Sequence, residues 1–140
     1  MCKSFITNCG LIALFAVAVS GCQILGGGPS DKDLVNATMG DWKAALIAHD
    51  MDKLMENYSE SYLNTQGGNK ASVRDFISGA IEQGYLENTK VNLETAKVTI
   101  KDDKANVAPV QVISDGGDYV LEFKLQKEEA GWLIVFSQMQ

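Results

Sequence analysis

Residues 31–140 read as one α+β domain, three N-terminal helices packed on a curved four-stranded antiparallel sheet. Up to about Gln83 the apolar residues recur at helical spacing, and beyond Leu86 they alternate with period two. Two runs of that second half slip phase by one residue, which bends a sheet.

The first helix is expected to start at Asp31. Ser30, with Asp33 three residues on, has the form of a capping box, and Pro29 before it cannot lie inside a helix. Leu34, Ala37, Thr38, Trp42, Ala45 and Leu46 form one apolar stripe, while Asp33, Asn36, Asp41 and Lys43 face water; the helix ends near Ala48-His49. Asp50 caps a shorter helix with Met51, Leu54, Met55 and Tyr58 on one side. The chain from Tyr58 to Leu63 turns extended and closes at Gly67-Gly68-Asn69, residues that tolerate positive φ. A third helix follows from Lys70 to about Gln83, with Val73, Phe76, Ile77, Ala80 and Ile81 inward and Gly84 as its stop.

The four strand runs are separated by turn chemistry. In Lys90–Lys101, Val91 and Leu93 hold one phase and Ala96, Val98 and Ile100 the other, which places a bulge near Glu94-Thr95. Asp102-Asp103 turns into Ala105–Ser114, whose phase slips around Pro109, as on an edge strand or at a bulge. Asp115-Gly116-Gly117-Asp118 leads to Tyr119–Lys127, with Tyr119, Leu121, Phe123 and Leu125 inward and Glu122, Lys124 and Gln126 outward. After Ala130-Gly131 comes Trp132–Met139, apolar on both faces through Phe136, the mark of a central strand.

Ahead of the domain, Leu11–Val19 is an unbroken apolar run after a positive start at Lys3. It is shorter than the roughly 20 residues that span a bilayer and has the length of a signal-peptide core. Val19-Ser20-Gly21-Cys22 closes it and resembles a bacterial lipobox. The resemblance implies cleavage between Gly21 and Cys22, diacylglycerol on the Cys22 thiol, and acylation of the new amino group, as by palmitate. Residues 1–21 are then a lipoprotein signal peptide, and 22–30 the lipidated cysteine and a flexible linker. Eight linker residues with Gly26-Gly27-Gly28 in the middle reach about 15 Å, which keeps the domain close to the membrane. Gln23 stands where aspartate is the familiar inner-membrane retention signal, so Gram-negative sorting implies the outer membrane, facing the periplasm.

Charge narrows the partners. Eighteen acidic against 12 basic residues, a formal charge of −6, argue against nucleic acid and against a polybasic grip on anionic lipid. Of the three cysteines, two leave with the signal and Cys22 is alkylated, so packing rather than disulfides must stabilise the domain.

Trp42-Lys-Ala-Ala-Leu, the stretch from His49-Asp50 to Tyr58-Ser-Glu-Ser-Tyr62, the helix from Lys70 and the closing Gly131-Trp132-Leu-Ile-Val follow one another in an order that resembles the nuclear transport factor 2 (NTF2)-like family, which includes SnoaL-like cyclases and ketosteroid isomerase. A cystatin-like helix-and-sheet fold is the alternative. The resemblance implies a conical cavity between helices and sheet, to which function is grafted rather than fixed by the fold. Likeness to ketosteroid isomerase would require an aspartate base on the strand after the second helix, but the stretch reads Leu63-Asn64-Thr65-Gln66. An amide and a hydroxyl cannot take a proton from carbon near neutral pH.

The expectation is therefore a membrane-anchored envelope lipoprotein with a non-catalytic domain that binds a small apolar ligand or an envelope protein. An isomerase, dehydratase or cyclase using the same cavity is the alternative. The candidate lining is Trp42, Met55, Tyr58, Tyr62, Gln66, Phe76 and Phe123. No catalytic residue, cofactor or metal is implied. His49 beside Asp50 and Asp52 is a helix-junction residue, Gly26-Gly27-Gly28 lacks the strand and Lys-Ser/Thr of a phosphate loop, and the aspartate pairs are hairpin turns. Family members often pair through the open sheet face, but Glu122, Lys124 and Gln126 there favour a monomer or weak homodimer.

Overall fold

Helix α1 (Asp31–Ile47) begins where its cap places it. Ser30 Oγ accepts from the Asp33 backbone N–H (3.2 Å), and the Ser30 N–H donates back to Asp33 Oδ2 (3.0 Å). Hydrogen bonds from Ser30 hold the Asp33 carboxyl below its ordinary range, so this part of the cap is present above the usual aspartate pKa and is lost as pH falls through the lowered one. Ser30→Ala is expected to cost about 1 kcal/mol in urea unfolding. An unchanged midpoint would show that the box contributes nothing.

The computed structural model describes residues 28–140. After α1 come α2 (Met51–Glu56), β1 (Tyr58–Asn64), α3 (Lys70–Glu82), β2 (Lys90–Asn92), β3 (Lys97–Lys101), β4 (Lys104–Ser114), β5 (Gly117–Glu128) and β6 (Gly131–Met139). Asp50 and Asn69 cap α2 and α3 through their side chains, accepting from Lys53 and Ser72. Gly84, at φ 76°, stops the third helical stretch.

The sheet has six strands, not the four expected, in the order β1-β6-β5-β4-β2 with β3 also on β4. Two features account for the difference. The chain from Tyr58 is a strand that pairs parallel to β6, Tyr58 opposite Ile134 and Leu63 opposite Phe136. The run from Lys90 is two strands, because a turn in which the Ala96 N–H donates to Leu93 O (3.1 Å) breaks it where the phase slips.

That break faces Pro109. Strand β3 pairs with Lys104–Ala108 and β2 with Gln111–Ile113, which leaves Pro109 and Val110 unpaired on that side. Proline has no N–H to offer a ladder, so the gap costs little. Strand β4 is consequently interior rather than an edge, and Pro109 sits in a register shift against β5 between Val107 and Val110. Strand β6 is central, between β1 and β5.

Helix α1 buries Val35, Met39, Trp42, Ala45 and Leu46 against Val107, Val110, Phe123, Leu125, Trp132 and Ile134 of the sheet. The stripe is rotated from the one expected: Val35, Met39, Trp42 and Leu46 align at steps of four, three and four, and Leu34 is pushed to 37 % exposure. Thr38 Oγ1 donates to Trp132 O (2.8 Å), tying the helix to β6. Tyr119, expected inward, is half-exposed at the hairpin end, its hydroxyl donating to Gly116 O (2.9 Å).

Candidate functional site

The helices and sheet bring five of the seven expected lining residues together. Trp42, Met55, Tyr58, Tyr62 and Phe123 are each at most 5 % exposed and share one core. Trp42 comes from α1, Met55 from α2, Tyr58 and Tyr62 from the two ends of an irregular stretch of β1, and Phe123 from β5. The Trp42 ring meets Phe123 edge-on at 4.9 Å, and Tyr58 meets Tyr62 at 5.1 Å. These rings fill the space between α1 and the sheet by packing on one another.

Phe76 and Gln66 lie elsewhere. On α3 (Lys70–Glu82), Val73, Ile77 and Ile81 form the row that leans inward, so Phe76, one position off that row, is 75 % exposed. Gln66 is exposed in the turn after β1, where Asn64 Oδ1 accepts the backbone N–H groups of Gln66 (2.9 Å) and Gly68 (2.8 Å). Neither can act as a handle in the interior. Gly21 and Cys22 lie outside the described residues.

The interior polar groups satisfy one another. Trp42 Nε1–H donates to the Tyr58 hydroxyl (2.9 Å), and the Tyr62 hydroxyl is hydrogen-bonded to Ser137. Burial pushes both phenols above their ordinary pKa, Tyr58 most strongly, and the hydrogen bonds only partly offset it. Both are therefore neutral near pH 7, able to donate or accept a hydrogen bond but unable to act as phenolate bases.

A polar cluster that sequence reasoning missed lies beside them. Ser59, 1 % exposed, donates to Glu128 Oε1 (2.7 Å) and is hydrogen-bonded to Ser61 Oγ (2.9 Å). Its signal was a serine at a buried place in Tyr58-Ser-Glu-Ser-Tyr62. The cluster fastens β1 to the end of β5. It lacks the imidazole that activates a serine nucleophile, because His49, at φ 54°, is hydrogen-bonded through Nε2 to Leu86 O (3.0 Å) at the α1–α2 junction.

Among the described residues, no aspartate or glutamate is buried, and no cluster of three His, Cys, Asp or Glu side chains could hold a metal. A surface hollow of about 470 Å³ between α1 and α2 is lined by Asp41, Asp50, Lys53, Glu56 and Asn57, where Lys53 and Asp50 pair at 3.8 Å. No helix among the described residues is long and apolar enough to cross a membrane.

No family model matches the chain, and no curated protein matches it. Solved structures do. A protein of unknown function with a cystatin-like fold from Nostoc punctiforme is 12 % identical, with 77 % of this chain and 88 % of that one covered at a TM-score of 0.63. An NTF2-like protein with a cystatin-like fold from Novosphingobium aromaticivorans is 17 % identical over 78 % and 80 % of the two chains, TM-score 0.62. A candidate scytalone dehydratase from the same organism is 14 % identical over 79 % and 83 %, TM-score 0.64. Three helices against a bent six-stranded sheet whose first strand runs parallel to its last, together with the similarity to these structures, give the chain an NTF2-like, cystatin-like fold.

Proposed function

We propose that this chain is an envelope lipoprotein, held to the membrane by lipid on Cys22, whose NTF2-like domain binds rather than catalyses. Its ligand is a small apolar molecule or an envelope protein. The observation that carries the reading is the chemistry of the interior: the polar groups at the core rings are two neutral tyrosines, an indole N–H and a serine hydroxyl. In this structure the rings are packed closed, so a small ligand binds by parting them; the polar groups then orient it through hydrogen bonds, and apolar burial at about 25 cal/mol per Å² supplies affinity. Proton abstraction from carbon needs a base tuned toward neutrality, which these groups are not.

Anchoring follows from the lipobox. One acyl chain holds a protein marginally, whereas two or three hold it durably. In a Gram-negative source the residue after the cysteine, Gln23, directs the protein to the outer membrane, facing the periplasm.

Two experiments test the reading. Cys22→Ser is expected to abolish lipid labelling and leave an uncleaved precursor, and globomycin is expected to make the wild-type precursor accumulate; no accumulation would remove the anchor. The purified protein is expected to bind the neutral fluorophore N-phenyl-1-naphthylamine saturably, with weaker binding in Tyr62→Ala. Steroid-like and polyketide-like substrates should pass unchanged. Turnover lost on removal of a single carboxylate would establish the alternative, an isomerase, dehydratase or cyclase, the class to which the dehydratase-named neighbour points.

A further inference from the structure

The face of the sheet turned away from the helices carries a groove that nothing in the helix-side interior explains. Register builds it. Thr99, Asn106, Lys124 and Phe136 lie opposite one another across β3, β4, β5 and β6, and the next row brings Lys101 beside Lys104. The groove encloses about 370 Å³ and includes Lys101, Lys104, Asn106, Lys124, Val135 and Phe136 in its walls.

Three properties of this groove point to one kind of occupant. In a chain of formal charge −6, three exposed lysines converge here, and none is among the ion pairs of the described residues. The carboxylate next along β5 on this face, Glu122, accepts instead from Gln138 (2.7 Å) and Gln140 (3.3 Å). The floor is apolar, with Lys124 Nζ 5.0 Å above the Phe136 ring, so a flat apolar body finds both a ring surface and a cation. Asn106 Oδ1 lies just beneath the groove surface without a hydrogen-bond partner, and a turn of its amide presents it as an acceptor to a donor on the occupant.

We infer that this open-face groove binds a small soluble organic anion with a flat apolar body and an N–H or O–H donor, an aryl carboxylate being the chemical class. Lysine ammonium groups act as point charges and neutralise the carboxylate, Val135 and Phe136 take the ring, and Asn106 accepts from the donor. The volume is at the small end of ligand pockets, about 300–1,000 Å³, and suits a molecule of one or two rings. A bilayer would lie over the lysines without reaching the recessed amide. A second copy centred on the groove would set the three lysines against their own counterparts.

The test is calorimetric titration of the purified full-length chain with indole-3-acetate, with indole-3-ethanol as the neutral analogue and 1-naphthaleneacetate as the analogue without an N–H. Indole-3-acetate is expected to bind one per chain, at least tenfold tighter than the alcohol and several-fold tighter than the naphthalene acid. The combined variant Lys101→Gln, Lys104→Gln, Lys124→Gln should lose at least tenfold for the acid and little for the alcohol. Asn106→Ala should remove the preference for indole over naphthalene. Equal affinity for acid and alcohol, or undiminished binding by the triple variant, overturns the proposal. A lysine-dependent preference for phosphatidylglycerol over phosphatidylcholine vesicles without indole-3-acetate binding overturns it in favour of a bilayer, and a dimer that excludes the acid does so in favour of a second copy. Failure leaves the helix-side reading standing, since that is measured with a neutral probe and Tyr62→Ala.

Discussion

Trp42→Ala is expected to destabilise the domain by about 3–5 kcal/mol, the range for removing a large buried aromatic side chain. Trp42 is 2 % exposed, packs edge-on against Phe123 at 4.9 Å, and donates its indole N–H to Tyr58 at 2.9 Å. Truncation opens a cavity between α1 and β5 and leaves the Tyr58 hydroxyl without its donor. Trp42→Phe separates the two effects, because it keeps a ring against Phe123 and removes only the donor and part of the volume. Its cost should be well below that of alanine, with about 1–3 kcal/mol from the unpaired hydroxyl. Domains of this kind have about 5–15 kcal/mol in total, so the alanine variant should unfold at markedly lower urea. A loss under about 1 kcal/mol would mean that the ring does not support the core.

Raising the pH above about 10 should destabilise the protein steeply through Tyr58. Burial raises its folded-state pKa well above the ordinary phenol value near 10, and Tyr62 moves the same way. Above pH 10 an unfolded tyrosine releases its proton while the folded one keeps it, so the unfolded state binds fewer protons. Stability therefore falls with rising pH, by about 1.4 kcal/mol per pH unit for each such group. The contribution is complete below the unfolded pKa and lost as pH climbs toward the folded one. Urea unfolding at pH 8, 10 and 11 should give this slope, and Tyr58→Phe should flatten it by the share of one tyrosine. A slope identical in the two proteins would mean that the Tyr58 hydroxyl ionises as easily folded as unfolded.

Local chemistry made the helices and hairpins legible. Ser30 and Asp50 cap the first two helices as expected, and Asp102, at φ 56°, makes the turn between β3 and β4, whereas Asn69, expected only as a turn residue tolerant of positive φ, caps α3 at φ −93°. Each of these signals acts within a few residues. The parallel pairing of β1 with β6 was hidden because it joins Tyr58 to Ile134, and no local pattern records a partner that distant. Helix phase was legible only to one residue: α1 offers Leu34, Val35, Ala37, Thr38 and Met39 within two turns, and the sheet rather than the periodicity selects Val35 and Met39. The same ambiguity misplaced Phe76. Trp42, Met55, Tyr58, Tyr62 and Phe123 fall together in the core because large apolar residues at inward positions have few other places to go. The open-face lysines escaped notice because Lys101, Lys104 and Lys124 become neighbours only through strand register.

Strand β6 has a consequence for how the chain reaches this fold. It is the last of the described elements in chain order, yet β1 and β5 both hydrogen-bond to it, and α1 is tied to its start through Thr38 and through Asp31, which accepts from Trp132 Nε1 (3.2 Å). Contacts between segments so far apart raise the contact order, and folding slows as loop closure must precede the contacts that reward it. Until Gly131–Met139 has left the ribosome, β1 has no strand to pair with and β5 has one neighbouring strand instead of two. A nascent chain short of those nine residues remains an unfinished sheet with an open edge, which leaves it threadable through a narrow pore and exposed to aggregation or proteolysis until the final strand docks.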